Sequence, residues 1–205
     1  MSGRRVRAYV GLGANVGDAR ATLTWAVGAV AALPGARLRG VSRLYATDPV
    51  GVTDQPEFRN AVVAMDVPAG SDPAAGALAL LSQLKELERA SGRQQRERWG
   101  PRELDLDLLI FGRAAISVDR PTAARSNDAD HDPTRASKLL LVPHPEAHQR
   151  LFVLAPLSDV ARWLVPPGWH ETVRTASIRQ EAVEGLGAVR PIGEWDPASS
   201  AWTTP

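Results

Sequence analysis

The chain of 205 residues contains no cysteine, which excludes a disulfide framework, a thiol nucleophile and a thiolate metal centre. Lysine occurs only at Lys85 and Lys138, so almost all the cationic charge is arginine. The net charge of +1 is too small for bulk electrostatic capture of nucleic acid, and arginine's planar fork directs attention to local phosphate sites instead. Aromatic residues make up 5%, and no segment carries the aromatic strand that an RNA-reading sheet presents. No stretch approaches the roughly 20 apolar residues of a membrane span, and the apolar run after Met1-Ser2-Gly3-Arg4-Arg5-Val6-Arg7 is too short for a signal peptide. A Walker-type phosphate loop and internal repeats are also missing. With 44% hydrophobic and 23% charged residues, the composition suits one well-buried domain, expected to be a cytoplasmic enzyme or binding protein.

What is present reads as an ordered succession of elements. Residues 7–12 have a buried-strand pattern that runs into a turn with Gly11, Gly13 and Gly17, and 19–33 show helical spacing through Leu23, Ala26, Val27 and Val30. Residues 37–46 alternate as a strand, 47–56 form a loop punctuated by Pro and Gly, and 58–67 form a second strand expected to pair antiparallel with the first. Ser71-Asp72-Pro73 opens a helix whose apolar face runs through Leu78, Leu81, Leu84 and Leu87 and which Gly92 terminates. An Arg-rich loop at 93–102 leads into a strand at 104–111.

The order β-α-β-β-α-β predicts an α+β fold, a ferredoxin-like split βαβ core with a mainly antiparallel sheet and helices on one face. Residues 139–142 suggest a short edge strand, 145–160 contain helical turns, and 162–205 offer a weak strand, a helix near 173–185 and a Pro/Ser/Thr-rich tail. The segment 119–137 lacks any apolar period and reads as a mobile insertion. We therefore divide the chain into a core at 1–162 carrying that insertion and an extension at 163–205, packed on or trailing from the same domain.

The chemistry concentrates in residues 98–108. In a strand, residues two apart point the same way about 6–7 Å from each other, so Asp105 and Asp107 share one face while Leu104, Leu106 and Leu108 supply the other. Carboxylates that close repel each other, and a hard divalent cation is the usual relief. Arg93, Arg96, Arg98 and Arg102 lie just upstream and suit phosphate oxygens, although pairing with these carboxylates is the simpler alternative. The polyphosphate reading is favoured over a structural salt-bridge network. The glycines at 11, 13 and 17 are spaced G-x-G-x-x-x-G, which is not a dinucleotide fingerprint, and they read as a tight strand-to-helix connection.

The run Arg98-Trp99-Gly100-Pro101-Arg102-Glu103-Leu104-Asp105-Leu106-Asp107-Leu108-Leu109 resembles the signature of the 6-hydroxymethyl-7,8-dihydropterin pyrophosphokinases of folate biosynthesis. The resemblance extends in order through Ala-Tyr-Val-Gly-Leu-Gly-Ala-Asn at 8–15, Tyr-Ala-Thr-Asp-Pro-Val-Gly at 45–51 and Gln-Pro-Glu-Phe-Arg-Asn-Ala-Val at 55–62. It continues with Val-Pro-His-Pro at 142–145, then Arg150 and Phe152, and so covers most of 8–160 apart from the insertion.

The resemblance implies transfer of the β,γ-pyrophosphoryl group of ATP to the pterin's hydroxymethyl oxygen, with two Mg²⁺ ions held by Asp105 and Asp107. Arg93 and Arg102 would join the two aspartates in catalysis. Thr47, Val50, Phe58, Asn60, Trp99 and Phe152 would line the pterin pocket, with Phe152 and an aromatic partner sandwiching the flat ring. Glu88, Arg93, Arg96, Arg98, Trp99, Arg102, Leu108, His144 and Arg150 would meet ATP. Phe58 stands where Tyr is frequent in the family, which keeps the ring and loses a hydroxyl. The pterin and ATP are the expected partners, without nucleic acid or membrane, and a monomer is the expected state. Two other classes remain open from the residues alone: a two-metal phosphohydrolase or nuclease with water as acceptor, and an Arg-rich RNA-binding sheet.

Overall fold

Two aspartates start the first two helices in the same way. In the computed structural model, which describes residues 4–49, 54–92, 101–121 and 137–204, strand β1 (Arg5–Ala14) leads into helix α1 (Ala19–Ala31). There the Asp18 carboxylate accepts from Ala21 N at 2.9 Å, satisfying one of the amides left without an intrahelical partner. Strands β2 (Arg37–Val41), β3 (Leu44–Thr47) and β4 (Phe58–Pro68) follow, then helix α2 (Pro73–Ala90), capped by Asp72 onto Ala75 N at 2.9 Å. Strand β5 is Asp105–Phe111, β6 is Ile116–Asp119 and β7 is Lys138–Val142. A 3₁₀ turn at Ala147–Gln149 precedes helix α3 (Leu151–Ala161), helix α4 (Val173–Glu184) and the strands β8 (Val189–Asp196) and β9 (Ala201–Thr203).

The main sheet runs β5-β1-β4-β3-β8-β9, with β2 also on β4, and each described pairing is antiparallel. This is the α+β, mainly antiparallel fold that the element order predicts. Several details differ. The 37–46 strand divides at Ser42, whose hydroxyl accepts from Val62 N at 2.9 Å and replaces a ladder bond locally. The glycines Gly11 and Gly13 lie inside β1, not in the turn after it, and the turn itself falls to Gly17 with φ 61°.

Helices cover both faces, not one. On the back face α1 and α2 bury Leu23, Val27, Leu80 and Leu84 against Val10, Leu12, Met65 and Leu106. On the front face α3 and its flanks place Ala147, Leu157, Ala161 and Val173 over Tyr9, Val62, Ala64, Leu109 and Ile110. The Asp159 carboxylate ties α3 to the sheet, accepting from Arg43 Nη2 at 2.8 Å and the Tyr45 hydroxyl at 2.9 Å. Burial and that neighbouring carboxylate push the Tyr45 hydroxyl pKa up, so it remains a donor.

The α2 stripe is rotated from the expected one: Gly76, Ala77, Leu80, Leu84 and Glu88 are buried, while Leu78, Leu81 and Leu87 are partly buried at its edges. A run as leucine-rich as 78–87 supports more than one stripe, and the four-residue step from Gly76 to Glu88 is the one the sheet selects. The ends of the expected insertion pair as the hairpin β6–β7, closed by Lys138 Nζ on Asp119 at 2.6 Å; residues 122–136 lie outside the described residues. The expected Pro/Ser/Thr-rich tail is instead the hairpin β8–β9, with Trp202 Nε1 donating to Ser42 O at 2.8 Å. Among the described residues no helix is long and apolar enough to cross a membrane.

Candidate active site

Strand alternation builds the site. Leu104, Leu106 and Leu108 are 0%, 0% and 3% exposed in the back-face core, which turns Asp105 and Asp107 to the front. The register then sets Asp105 opposite Gly13 and Asp107 opposite Gly11 on β1. On the other side of β1, Gly13 is opposite Asn60 of β4. A carboxylate, a bare backbone and an amide therefore stand in one row, the outer two separated by two strand spacings, about 10 Å.

The glycines keep that row open. A Cβ on Gly13 would sit 3.4 Å from Asn60 Oδ1, and one on Gly11 would meet the Leu109 side chain at 3.4 Å. Between Tyr9 and Val10 the β1–β5 register shifts, so Leu109 is an extra residue of β5. The bulge lets both Leu109 and Ile110 join the front-face cluster and ends the alternation that displays the aspartates.

Asn60 is 7% exposed and donates through Nδ2 to Thr47 Oγ1 at 2.8 Å, which brings together two of the residues expected at the pterin. Phe58 pairs with Thr47 across β3 and β4 and points to the same face. On the carboxylate side, Arg102 Nη1 lies 3.3 Å from Asp105 Oδ1. Among the described residues no hydrogen bond or ion pair reaches the Asp107 carboxylate.

Glu88 is placed differently from a simple nucleotide contact. It is 2% exposed, and its Oε1 accepts from Leu106 N at 2.7 Å and from Lys85 Nζ at 2.7 Å. Lys85 also reaches Leu106 O at 3.3 Å, so the pair caps the outer edge of β5 at the residue between the aspartates. Leu108 turns its side chain into the back-face core, away from Asp105 and Asp107, and offers a nucleotide only its backbone. His144 docks beside β5 through its amide on Leu109 O at 2.9 Å, and its Nδ1 accepts from Glu146 N at 3.4 Å. Arg150 pairs with Glu146 and lies over the Phe152 ring, 5.6 Å from its centroid. Val50, Arg93, Arg96, Arg98 and Trp99 lie outside the described residues.

One residue that composition and spacing did not single out is Asn15, just past β1 and 2% exposed. Its Oδ1 accepts from Arg102 N at 2.7 Å, and its Nδ2 donates to Gln55 Oε1 at 3.0 Å and Pro56 O at 3.1 Å. This one amide thus joins the end of β1, the segment before β4 and the segment before β5. The available signal was an Asn at a strand end, a position where a polar side chain commonly serves backbone groups.

Among the described residues no group of three or more His, Cys, Asp or Glu side chains gathers as a metal cage. The donor set still fits Mg²⁺, which is commonly held by one or two carboxylates and completed by substrate phosphates and water. Asp105 and Asp107 are the residues that would hold it.

Residues 9–162 match the family model described as 7,8-dihydro-6-hydroxymethylpterin-pyrophosphokinase (HPPK). The 2-amino-4-hydroxy-6-hydroxymethyldihydropteridine pyrophosphokinase of Pseudomonas aeruginosa is 38% identical over 88% of this chain and 96% of its own. That of Methylorubrum extorquens is 40% identical over 83% of this chain and 90% of its own. A Plasmodium falciparum HPPK-DHPS crystal structure superposes with a TM-score of 0.67 over 98% of this chain at 14% identity, a likeness of fold. This chain spans 48% of that longer one. The chain belongs to the 7,8-dihydro-6-hydroxymethylpterin-pyrophosphokinase family.

Proposed function

We propose that this chain transfers the β,γ-pyrophosphoryl group of ATP to the hydroxymethyl oxygen of 6-hydroxymethyl-7,8-dihydropterin, giving the pterin diphosphate and AMP, as a step of folate biosynthesis. The observation that carries the reading is the row Asp105, Gly13, Asn60, which sets a carboxylate pair and a recognition amide on one face of one sheet. In the reaction the pterin oxygen bonds to the β-phosphorus, and the bond from that phosphorus to the α,β-bridging oxygen breaks. The bridging oxygen leaves on AMP, and the hydroxyl proton passes to solvent or a phosphate oxygen.

Asn60 and Thr47 read the pterin's polar edge, while Phe58, Phe152, Val50 and Trp99 supply apolar and stacking surface. Arg102 orients Asp105 and presents its remaining N–H groups to phosphate, with Arg93, Arg96, Arg98, His144 and Arg150 sharing the nucleotide side. Two Mg²⁺ ions, when bound at Asp105 and Asp107, would neutralise the triphosphate and polarise the β-phosphorus. Glu88 serves from below by fixing the Leu106 amide between the two aspartates. No separate protein base is required, because a held alcohol facing an activated phosphorus needs mainly orientation and charge stabilisation. Residues 163–205 form an extension of the same domain, a reading supported by the β3–β8 pairing.

The test is the pterin dependence of nucleotide turnover. AMP formation from ATP that requires the pterin supports the assignment. Equal ATP consumption without pterin would make water the acceptor and transfer the site to the hydrolase class.

A further inference from the structure

The C-terminal hairpin reaches the pterin side of the site from behind. In β8, Arg190 stands opposite Ala46 of β3 and Val189 opposite Thr47. The β3–β4 ladder ends at the pair Thr47 and Phe58, so Asp48 and Glu57 are the first residues beyond it. At that point the guanidinium takes over. Arg190 Nη2 lies 3.2 Å from Asp48 Oδ1 and also donates to Glu57 Oε1, while Nη1 donates to Gly187 O at 3.0 Å. Glu57 is held in turn by Arg59 Nη1 at 2.9 Å. Alternation places Arg190, Asp48 and Glu57 on the face opposite Thr47, Phe58 and Asn60, so this bridge faces away from the substrate side.

We infer that Arg190 is a positioning residue for pterin binding: it clamps Asp48 to Glu57 and thereby holds their neighbours Thr47 and Phe58 at the spacing the ring requires. The inference rests on the pterin-pocket reading of Thr47, Phe58 and Asn60. The clamp lies beyond residue 162, where the family match ends, and is therefore a contribution of the extension to the site. Its reach is confined to the pterin side, since Asp105 lies on β5, on the far side of β1 and β4.

The two carboxylates also raise the pKa of Arg190, the Asp48 contact first, so the clamp stays charged throughout the working range. It stands partly in solvent, with Arg190 39% and Glu57 43% exposed, and a bridge of that kind responds to salt.

The experiment compares wild type with Arg190→Ala, Arg190→Lys and Asp48→Asn. 6-Hydroxymethyl-7,8-dihydropterin is titrated into each enzyme in the presence of Mg²⁺ and a nonhydrolysable ATP analogue. Arg190→Ala is expected to weaken pterin binding about 3- to 10-fold, as loss of a partly exposed charge network does, with the KM for ATP unchanged. Arg190→Lys, which keeps the charge and loses the fork, should fall between the two. Asp48→Asn opens the same bridge without altering β8 and should reproduce the pterin-selective loss even if Arg190→Ala folds poorly. At about 1 M NaCl, where the screening length is about 3 Å, the gap between wild type and Arg190→Ala should narrow.

Unchanged pterin affinity in both Arg190→Ala and Asp48→Asn overturns the inference, as does an equal loss for pterin and ATP. Asn60→Ala, run in parallel, separates the two levels. If Asn60→Ala binds pterin as wild type does, the pocket reading falls and the clamp with it. If Asn60→Ala loses pterin while the clamp variants do not, the clamp alone falls.

Discussion

Gly13 has no side chain, and it stands in the middle of the row on which the proposed function rests. It lies between Asp105 and Asn60 in the register, and the hydrogen it carries instead of a methyl spares Asn60 Oδ1 the 3.4 Å contact a Cβ would make. Its φ is not in the left-handed region, so alanine is tolerated by the backbone. Gly13→Ala is expected to fold and to melt close to wild type, while the KM for pterin rises about tenfold, the equivalent of ~1.4 kcal/mol. Thermal melting beside steady-state kinetics checks this, and an unchanged KM would remove Gly13 from the site. Asp107 provides the complementary case. Because no described residue bonds its carboxylate, Asp107→Asn should leave stability intact while turnover falls ~10²-fold or more, the scale of losing a group that stabilises transition-state charge. Loss of stability matching the loss of turnover would mean that Asp107 holds the fold rather than the chemistry.

At the scale of elements, α2 and β5 show why a polar residue enters a core stripe. Glu88 follows Gly76, Leu80 and Leu84 at four-residue steps and meets the Leu106 amide at the sheet edge. Glu88→Ala would leave that amide without its acceptor at a cost of ~1–3 kcal/mol, whereas Glu88→Gln keeps an oxygen at Oε1 and should retain most of the stability. Chemical denaturation of the two variants separates this role from a pure ATP contact, which would lower ATP affinity without a change in stability.

Legibility in the sequence follows the same physics. The alternation Leu104, Asp105, Leu106, Asp107, Leu108 could be read directly because every even position is apolar and the strand has period two. The α2 stripe could not, because its leucines satisfy several helical phases and the deciding contact is made by a glutamate to a backbone amide 18 residues away. Gly11 and Gly13 are hard to place from sequence for a related reason. Turn and strand glycines look alike until the register shows what stands opposite, and only then does the open row become visible. Asn15 depends on two distant segments, Gln55–Pro56 and Arg102, which no local pattern brings together.

The whole molecule shows a division between a motif-rich core and an extension whose role comes from packing. The last strands carry only weak strand periodicity, yet Trp195 and Trp202 pair across β8 and β9 with ring centroids 4.8 Å apart in an edge-on arrangement. Trp202 is 3% exposed in the back-face core, and Arg20 of α1 donates to its carbonyl. Trp202→Ala is therefore expected to cost ~3–5 kcal/mol, a drop that denaturant titration of the full chain would register and that a trailing tail would not produce. The extension thus packs on the core without supplying any of the expected substrate-touching residues, which all lie within 47–152.

The central claim concerns which bond of ATP breaks, and the direct measurement is the fate of label. With Mg²⁺, pterin and ATP labelled separately at the α- and γ-phosphates, the account requires the γ label in the pterin product and the α label in AMP, in equal amounts. Label from the γ-phosphate in a pterin monophosphate alongside labelled ADP would contradict it.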